Sequence, residues 1–433
     1  MASSLIKLGI LDLRIGRPVA GGAMIARHEG RIVLVDGGIP GERVRARVSR
    51  AQRDVIFASV TEVLEPDADR RQVGGDQSCG GHSYAHIAYD RQRELKSELI
   101  ADGLNRLGRL AWTTPIPVMP SPERGYRMRA KLHVRGGRVG FLKEGTHRIC
   151  DAAQTRQLLP ETESVLGEIA QCLLAARLRH SIKIELAENL TGNERVLHVM
   201  LGRRDDTSHI AGLGRCSGVT GLTASRPGGQ IQTVAGVPTV GDPLALMTPV
   251  SGTQSVTRRA ASFFQANRFL LPRLVSQVCQ RVRLGPVLDL YTGVGLFATA
   301  LAAQGIGPIT AVEGDTVAAE DLSTNARAFG QRLQPVHASV EEFLAGIPRP
   351  SAETVIVDPP RSGMSRTAIE RLAAAQPGRL IYVGCDVATL ARDVGKFSRA
   401  GYAVRHLEAF DFFPNTPHVE ILATLDLTNA ARQ

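Results

Sequence analysis

Cys385 stands between Gly384 and Asp386, directly after the apolar run Arg379-Leu380-Ile381-Tyr382-Val383, and Glu420 ends the run Phe413-Pro414-Asn415-Thr416-Pro417-His418-Val419. A thiol at a strand end is a candidate nucleophile, and a carboxylate beside the last strand is a candidate base. Together they suit one kind of chemistry. Pyrimidine C5 is a poor nucleophile until something adds to C6. A thiolate can make that addition, C5 can then take a methyl group, and a base must remove the C5 proton before sulfur leaves. Taken singly, such a cysteine is ordinarily core packing and such a glutamate an exposed edge residue. Their neighbours in the sequence decide the matter.

The first of these neighbours is a loop, Asp289-Leu290-Tyr291-Thr292-Gly293-Val294-Gly295, that follows the apolar segment Pro286-Val287-Leu288. Gly293 and Gly295 allow a sharp turn and a close backbone approach to a ligand. Glu313 lies 24 residues past Asp289, where an acid at the end of the next strand accepts hydrogen bonds from ribose hydroxyls. Asp289 would repel a pyrophosphate but attract an ammonium or sulfonium cation. S-adenosylmethionine carries both cations and no phosphate, so it is preferred over a dinucleotide. A further cluster, Asp358-Pro359-Pro360-Arg361, makes a stiff extended loop that aims a side chain outward. Amino-group methylation normally needs an aromatic after the two prolines, and Arg361 stands there instead.

These residues require a sheet to hold them. From about Phe263 onward, strands at 286–290, 309–312, 354–357 and 379–383 alternate with helical stretches, which predicts a doubly wound parallel sheet. Residues from about 6 to 63 are rich in short β-forming runs split by Asp36-Gly37-Gly38 and Pro40-Gly41-Glu42, as in a small OB-type barrel. Within it Arg43, Arg45 and Arg47 alternate with Val44, Ala46 and Val48, placing three guanidinium groups on one face. A helix is expected from Asp90, its cap, to Gly108, with Leu95, Leu99, Ile100, Leu104 and Leu107 on one face. The middle third mixes strands and turns and holds basic clusters at Arg124, Arg127, Arg129, Lys131, Arg135 and Arg138 and at Arg203-Arg204. The expected division is 1–65, 66–255 and 256–433, with helix 90–108 packing on the last part.

Lys and Arg number 52 against 42 Asp and Glu among the 433 residues, a formal net charge of +10, which favours a polyanionic partner. No run of about 18 apolar residues exists, and the first residues lack an apolar core of signal-peptide length. Six cysteines scattered singly predict no disulfide framework and a reducing, cytoplasmic setting.

Beyond these physical readings, the chain resembles the RNA uracil-5-methyltransferases, which form 5-methyluridine in 23S rRNA and tRNA. The resemblance rests on four segments: the Pro40-Gly41-Glu42 turn within a TRAM-like barrel, Ser262-Phe263-Phe264-Gln265-Ala266-Asn267, Tyr382 through Asp393 around Cys385, and Asp411-Phe412-Phe413-Pro414 through Glu420. It implies a Rossmann-like class I methyltransferase domain with an N-terminal OB-type barrel and a central α+β RNA-binding domain. It also implies Cys385 as nucleophile and Glu420 as proton acceptor. Gln265, Tyr291, Gly293, Gly295, Glu313 and Asp358 would line the S-adenosylmethionine and uracil pockets. Phe263 would stack on a displaced base, with Arg127, Arg129 and Lys131 on the RNA. The barrel favours 23S rRNA, with tRNA as the alternative substrate and a non-catalytic RNA-binding or ribosome-assembly factor as the rival role. No membrane and no obligate protein partner is expected. Many members bind an iron–sulfur cluster through four cysteines. Here Cys79 and Cys150 fall at plausible positions, but His82 and Val73 stand where two more thiolates belong, so neither a cluster nor another metal is expected.

Overall fold

The computed structural model describes residues 9–76, 78–143, 145–176, 182–202, 205–346 and 352–428; the predicted basic pair Arg203-Arg204 lies outside the described residues. Five strands come first: β1 (Ile10–Arg14), β2 (Met24–His28), β3 (Arg31–Asp36), β4 (Arg43–Ala51) and β5 (Val55–Glu65), in the order β1-β4-β5-β3-β2. The expected alternation on β4 holds, with Val44, Ala46 and Val48 buried and the three arginines exposed. Arg43 is matched by Asp12 and Glu65, and Arg45 by Glu62, so two of the three cations already face carboxylates. Strand pairing does not close this sheet into the expected barrel. Its ladder ends at β1 and β2, although Gly16, just past β1, donates to Ile25 O at 2.7 Å.

Helix α1 (Tyr89–Gly103) continues into a single π turn, Leu104–Gly108. Ala88, not Asp90, occupies the N-cap, and Asp90 instead pairs with Arg93 at 2.9 Å. The π turn adds a residue to the helical repeat, which rotates Leu107 out of the apolar stripe and leaves it 51% exposed, against expectation. Strand β6 (Val118–Met119) follows.

The central sheet comprises β7 (Arg129–Arg135), β8 (Arg138–Leu142), β9 (Ile149–Asp151), β10 (Ile182–Glu188), β11 (Arg195–Met200), β12 (Gly221–Ser225) and β13 (Gln232–Gly236), ordered β13-β12-β11-β10-β7-β8-β9. Helix α2 (Pro160–Ala175), unforeseen in the sequence, covers it; Pro160 starts the helix and Val165, Leu166, Ile169 and Leu173 face inward. Cys79 and Cys150 form a disulfide with Cα atoms 5.7 Å apart, correcting the expectation of six single cysteines. Their 71-residue separation hid a proximity that folding creates. A short hairpin, β14 (Thr239–Pro243) and β15 (Ser255–Arg259), leads onward.

Helix α3 (Leu271–Arg281) precedes the largest sheet. Its strands are β16 (Val287–Leu290), β17 (Ile309–Glu313), β18 (Leu333–His337), β19 (Thr354–Val357), β20 (Arg379–Gly384), β21 (Tyr402–Phe410) and β22 (Glu420–Leu427). They interleave with α4 (Leu296–Ala303), α5 (Thr316–Ala326), α6 (Val340–Gly346), α7 (Arg366–Ala375) and α8 (Val387–Arg399). The order is β18-β17-β16-β19-β20-β22-β21-β6, parallel from β18 to β20, with β22 antiparallel to its neighbours. All residues of β16, β19 and β22 are buried, as expected where helices cover both faces. The fold is thus a mostly parallel α/β sheet joined to a five-stranded sheet, a seven-stranded sheet and a hairpin. Among the described residues no helix is long and apolar enough to cross a membrane.

Candidate active site

The sheet order sets the site. The carboxyl ends of the parallel strands β17, β16, β19 and β20 lie side by side, followed by the start of antiparallel β22. Chain reversal after each strand therefore delivers Glu313, the Tyr291 loop, Asp358, Cys385 and Glu420 along one edge, where open α/β sheets bind ligands. Gly384 pairs with Ile421 in the ladder, so the next residue on one strand and the preceding one on the other, Cys385 and Glu420, emerge together.

The glycine loop is tight. Tyr291, Gly293 and Gly295 all have positive φ, 58°, 61° and 89°. Tyr291 is the costly member, since a side chain there is strained, and such strain concentrates at functional loops. A Cβ on Gly295 would meet Leu322 at 2.7 Å, whereas one on Gly293 would find only Phe263 O, at 3.9 Å. Glu313 accepts from Gly293 N–H at 2.8 Å and from Asp315 N–H at 2.7 Å, which clamps the loop against β17. Thr292 donates to Asp289 Oδ2 at 2.6 Å, while Asp289 Oδ1 is buried with no partner. Burial pushes the Asp289 carboxyl up to about 7. Asp358 is likewise pushed up to about 7, by burial first and then by the charges of Asp289 and Glu313, while Gln265 opposes this by donating to Oδ2 at 3.1 Å. An acidic row, with Asp289 buried and holding a free oxygen and Asp358 and Glu313 partly exposed beside it, fits a ligand that carries ammonium and sulfonium charge.

At the other end, burial pushes the Cys385 thiol up to about 12, assisted by Glu420 and Asp358 and opposed by Arg361. Glu420 is buried, its Oε1 has no partner, and its carboxyl is raised well above the ordinary range by burial and then by Asp358. Arg361 is the cation common to both groups. The sequence reading valued it only for not being aromatic; its electrostatic role needed the fold. His418 was also missed. It meets Phe413 edge-on at 6.1 Å, and burial, Arg361, Lys96 and Arg127 push its imidazole down to about 4, so it is neutral near pH 7. Its place two residues before Glu420 was the available signal.

The residues expected to contact RNA lie on β7, on the segment leading into it, and on Ser262–Arg268. The Ser262–Arg268 segment runs alongside the approach to β7: Met128 N–H donates to Ala266 O at 2.8 Å, and Arg268 N–H to Tyr126 O at 2.9 Å. This brings Arg129 over the Phe263 ring, 5.4 Å from its centroid, with Phe263 58% exposed. Lys131 pairs with Glu185 at 3.0 Å, and Arg127 donates to Gln157 at 2.6 Å. Cys79 and Cys150 are engaged with each other, and His82 contacts Thr155 O at 3.2 Å. Among the described residues no three His, Cys, Asp or Glu side chains converge as metal ligands.

A family model described as tRNA (Uracil-5-)-methyltransferase matches residues 344–427, and a TRAM domain model matches residues 10–61. An uncharacterized RNA methyltransferase of Streptomyces coelicolor is 31% identical, covering 96% of this chain and 92% of its own length. A 23S rRNA (uracil(1939)-C(5))-methyltransferase of Methylococcus capsulatus is 30% identical, with 94% of each chain covered. The crystal structure of Pyrococcus abyssi tRNA (uracil-54, C5)-methyltransferase with S-adenosyl-L-homocysteine superposes with a TM-score of 0.76 at 23% identity, covering 95% of this chain and 99% of that one. With the thiol, the acids and the glycine loop gathered on one sheet edge, these matches carry one conclusion: the chain belongs to the RNA uracil-5-methyltransferase family.

Proposed function

We propose that this protein methylates C5 of a uracil in RNA, 23S rRNA being the favoured substrate. The observation that carries the reading is the emergence of Cys385 and Glu420 from paired strand ends, beside a row of acids, buried Asp289 and partly exposed Asp358 and Glu313, suited to a sulfonium ligand. When bound, S-adenosylmethionine would supply the methyl group. Cys385 gives up its thiol proton to solvent as Sγ bonds to C6, and the displaced π electrons make C5 nucleophilic. After C5 has gained the methyl group, Glu420 removes its proton; the C–H electron pair re-forms the C5–C6 double bond and expels the Cys385 sulfur. A carboxyl raised by burial is a strong base once ionised, which suits that last step.

Gln265, Tyr291, Gly293, Gly295, Glu313 and Asp358 would hold the cofactor and the uracil. Phe263, braced by Arg129, would stack on the everted base, while Arg127 and Lys131 would meet phosphates. In this reading residues 1–65 form a TRAM-like OB-type unit, 66–255 an RNA-binding unit and 256–433 the methyltransferase, acting in the cytoplasm.

The test is to map 5-methyluridine in RNA from a strain lacking the protein, then complement with the native protein or Cys385→Ala. One 23S rRNA position should lose its methyl group and regain it only with the native protein. Loss confined to tRNA would reassign the substrate. Restoration by Cys385→Ala would refute the nucleophile.

A further inference from the structure

Residues 411–419 connect β21 to β22 without helix or strand, yet Asp411, Phe412, Asn415 and Thr416 are all buried. Buried irregular backbone must find hydrogen-bond partners. Many of them come from residues 71–96, more than 300 positions earlier in the chain. Lys96, wholly buried, donates to Asp411 Oδ1 at 2.5 Å and to Phe413 O at 3.2 Å. Gln92, also wholly buried, takes the Asn415 N–H at 2.9 Å and returns a hydrogen bond to Asn415 Oδ1 at 3.0 Å. Arg71 donates to the same oxygen at 2.7 Å, and Tyr84 N–H donates to Asn415 O at 2.8 Å. Asn415 is thereby held at φ 65°, a left-handed conformation.

The loop ends at Glu420. Because Glu420 Oε1 has no partner, the aim of the carboxylate depends on the backbone that enters β22. Cys385 shares the β20–β22 pairing with Glu420 but has supports of its own: the β19 ladder and Asp386, which caps α8 by accepting from Thr389 N–H at 2.8 Å. The hydrogen bonds that hold loop 411–419 therefore bear on Glu420 and do not reach Cys385 directly.

We propose that Gln92 and Lys96, one turn apart on α1, are positioning residues for the proton-removal step. By clamping loop 411–419 through Asn415 and Asp411 they hold Glu420 against the C5 proton. The inference rests on the covalent reading above. It predicts that loosening the clamp slows proton removal while sparing adduct formation.

The experiment uses the full-length protein and the variants Lys96→Met and Asn415→Gly. Glycine tolerates the left-handed backbone but removes the side-chain acceptor, so the second variant stands even if the first does not fold. Adduct formation is followed on RNA carrying 5-fluorouridine, whose C5 has no proton for Glu420 to take, so that the Cys385–C6 bond persists. Turnover is followed on ordinary RNA. Each variant should form the 5-fluorouridine adduct within about twofold of the native rate, with turnover roughly 10- to 100-fold slower. Methylated protein–RNA adduct should also accumulate on ordinary RNA. Equal losses in both assays, or unchanged turnover, would overturn the clamp. Failure of the native protein to form the 5-fluorouridine adduct would instead overturn the covalent reading, and the clamp with it.

Discussion

The central sheet and the catalytic sheet both bury carboxylates, and Glu188 in the first is treated differently from Asp289 and Glu420 in the second. Glu188, at the end of β10, is fully buried and accepts hydrogen bonds from Arg195 and Arg268, both at 2.6 Å, and from Thr162. On the β14–β15 hairpin, Arg258 is buried too, pairing with Asp242 and lying 3.7 Å from the centroid of the Phe264 ring, although its Nε, like that of Arg268, has no partner. In the catalytic sheet, Asp289 and Glu420 each leave one buried carboxyl oxygen without a partner. A saturated buried charge is scaffold: its desolvation is offset inside the protein. An unsaturated one is costly unless a ligand completes it or the group stays protonated, and the raised carboxyls follow from that. Burial alone does not separate Glu188 from Asp289 and Glu420; the state of their buried carboxylate oxygens does.

Three experiments would break or sharpen this contrast. The largest effect is expected at an unsaturated acid. Glu420→Gln should cut turnover by roughly 10²- to 10⁴-fold and leave a labelled, methylated protein–RNA adduct as a retarded band on a denaturing gel. Methyl transfer with no such band would show that another group takes the proton.

The saturated acid should behave differently. Glu188→Ala strands two buried guanidinium groups and should lower unfolding stability by about 3–5 kcal/mol, read from the urea midpoint. Turnover per folded molecule should stay near native. A specific kinetic defect with unchanged stability would move Glu188 from scaffold to site.

The smallest effect concerns pH. Asp289 and Asp358 are both raised to about 7, so each is protonated below that pH and gains negative charge above it. Cationic S-adenosylmethionine should therefore gain on its neutral product, S-adenosylhomocysteine, as pH rises through 7, by roughly threefold to tenfold. Calorimetric titration of both ligands at pH 6 and pH 8 would measure the ratio. A pH-independent ratio would mean that these carboxyls do not face the sulfonium.

Legibility from sequence followed locality. The strands at 354–357 and 379–383 were readable because continuous apolar runs have little choice but a doubly covered sheet. The Gly293–Gly295 turn was readable because few residue types tolerate its backbone. Helix α2 was missed, since its apolar positions lie in a segment with strand-like neighbours on both sides. Leu107 was misplaced because one π turn shifts the stripe, and a helical repeat read from sequence does not register that. The Cys79–Cys150 bond was missed because spacing along a chain says nothing about sulfurs brought together where Cys79 bridges Lys143, just past β8, while β9 carries Cys150 along the other side of β8. The arginines expected to meet RNA were read by type, but only the fold showed that Arg43 and Arg45 are matched by acids and that Arg129, itself 3.7 Å from Glu185, also lies over an exposed phenylalanine.

The order of residues determined which chemical groups exist and the local turns that present them: a thiol after a strand, a carboxylate before another, glycines that allow a close approach. The tertiary structure decided which of those groups meet. An antiparallel last strand set Glu420 beside Cys385, and a helix from the first quarter of the chain took hold of the loop between them. Covalent neighbours fix conformation over a few residues; only packing, which buries polar backbone and forces it to find partners, fixes distance between residues hundreds of positions apart.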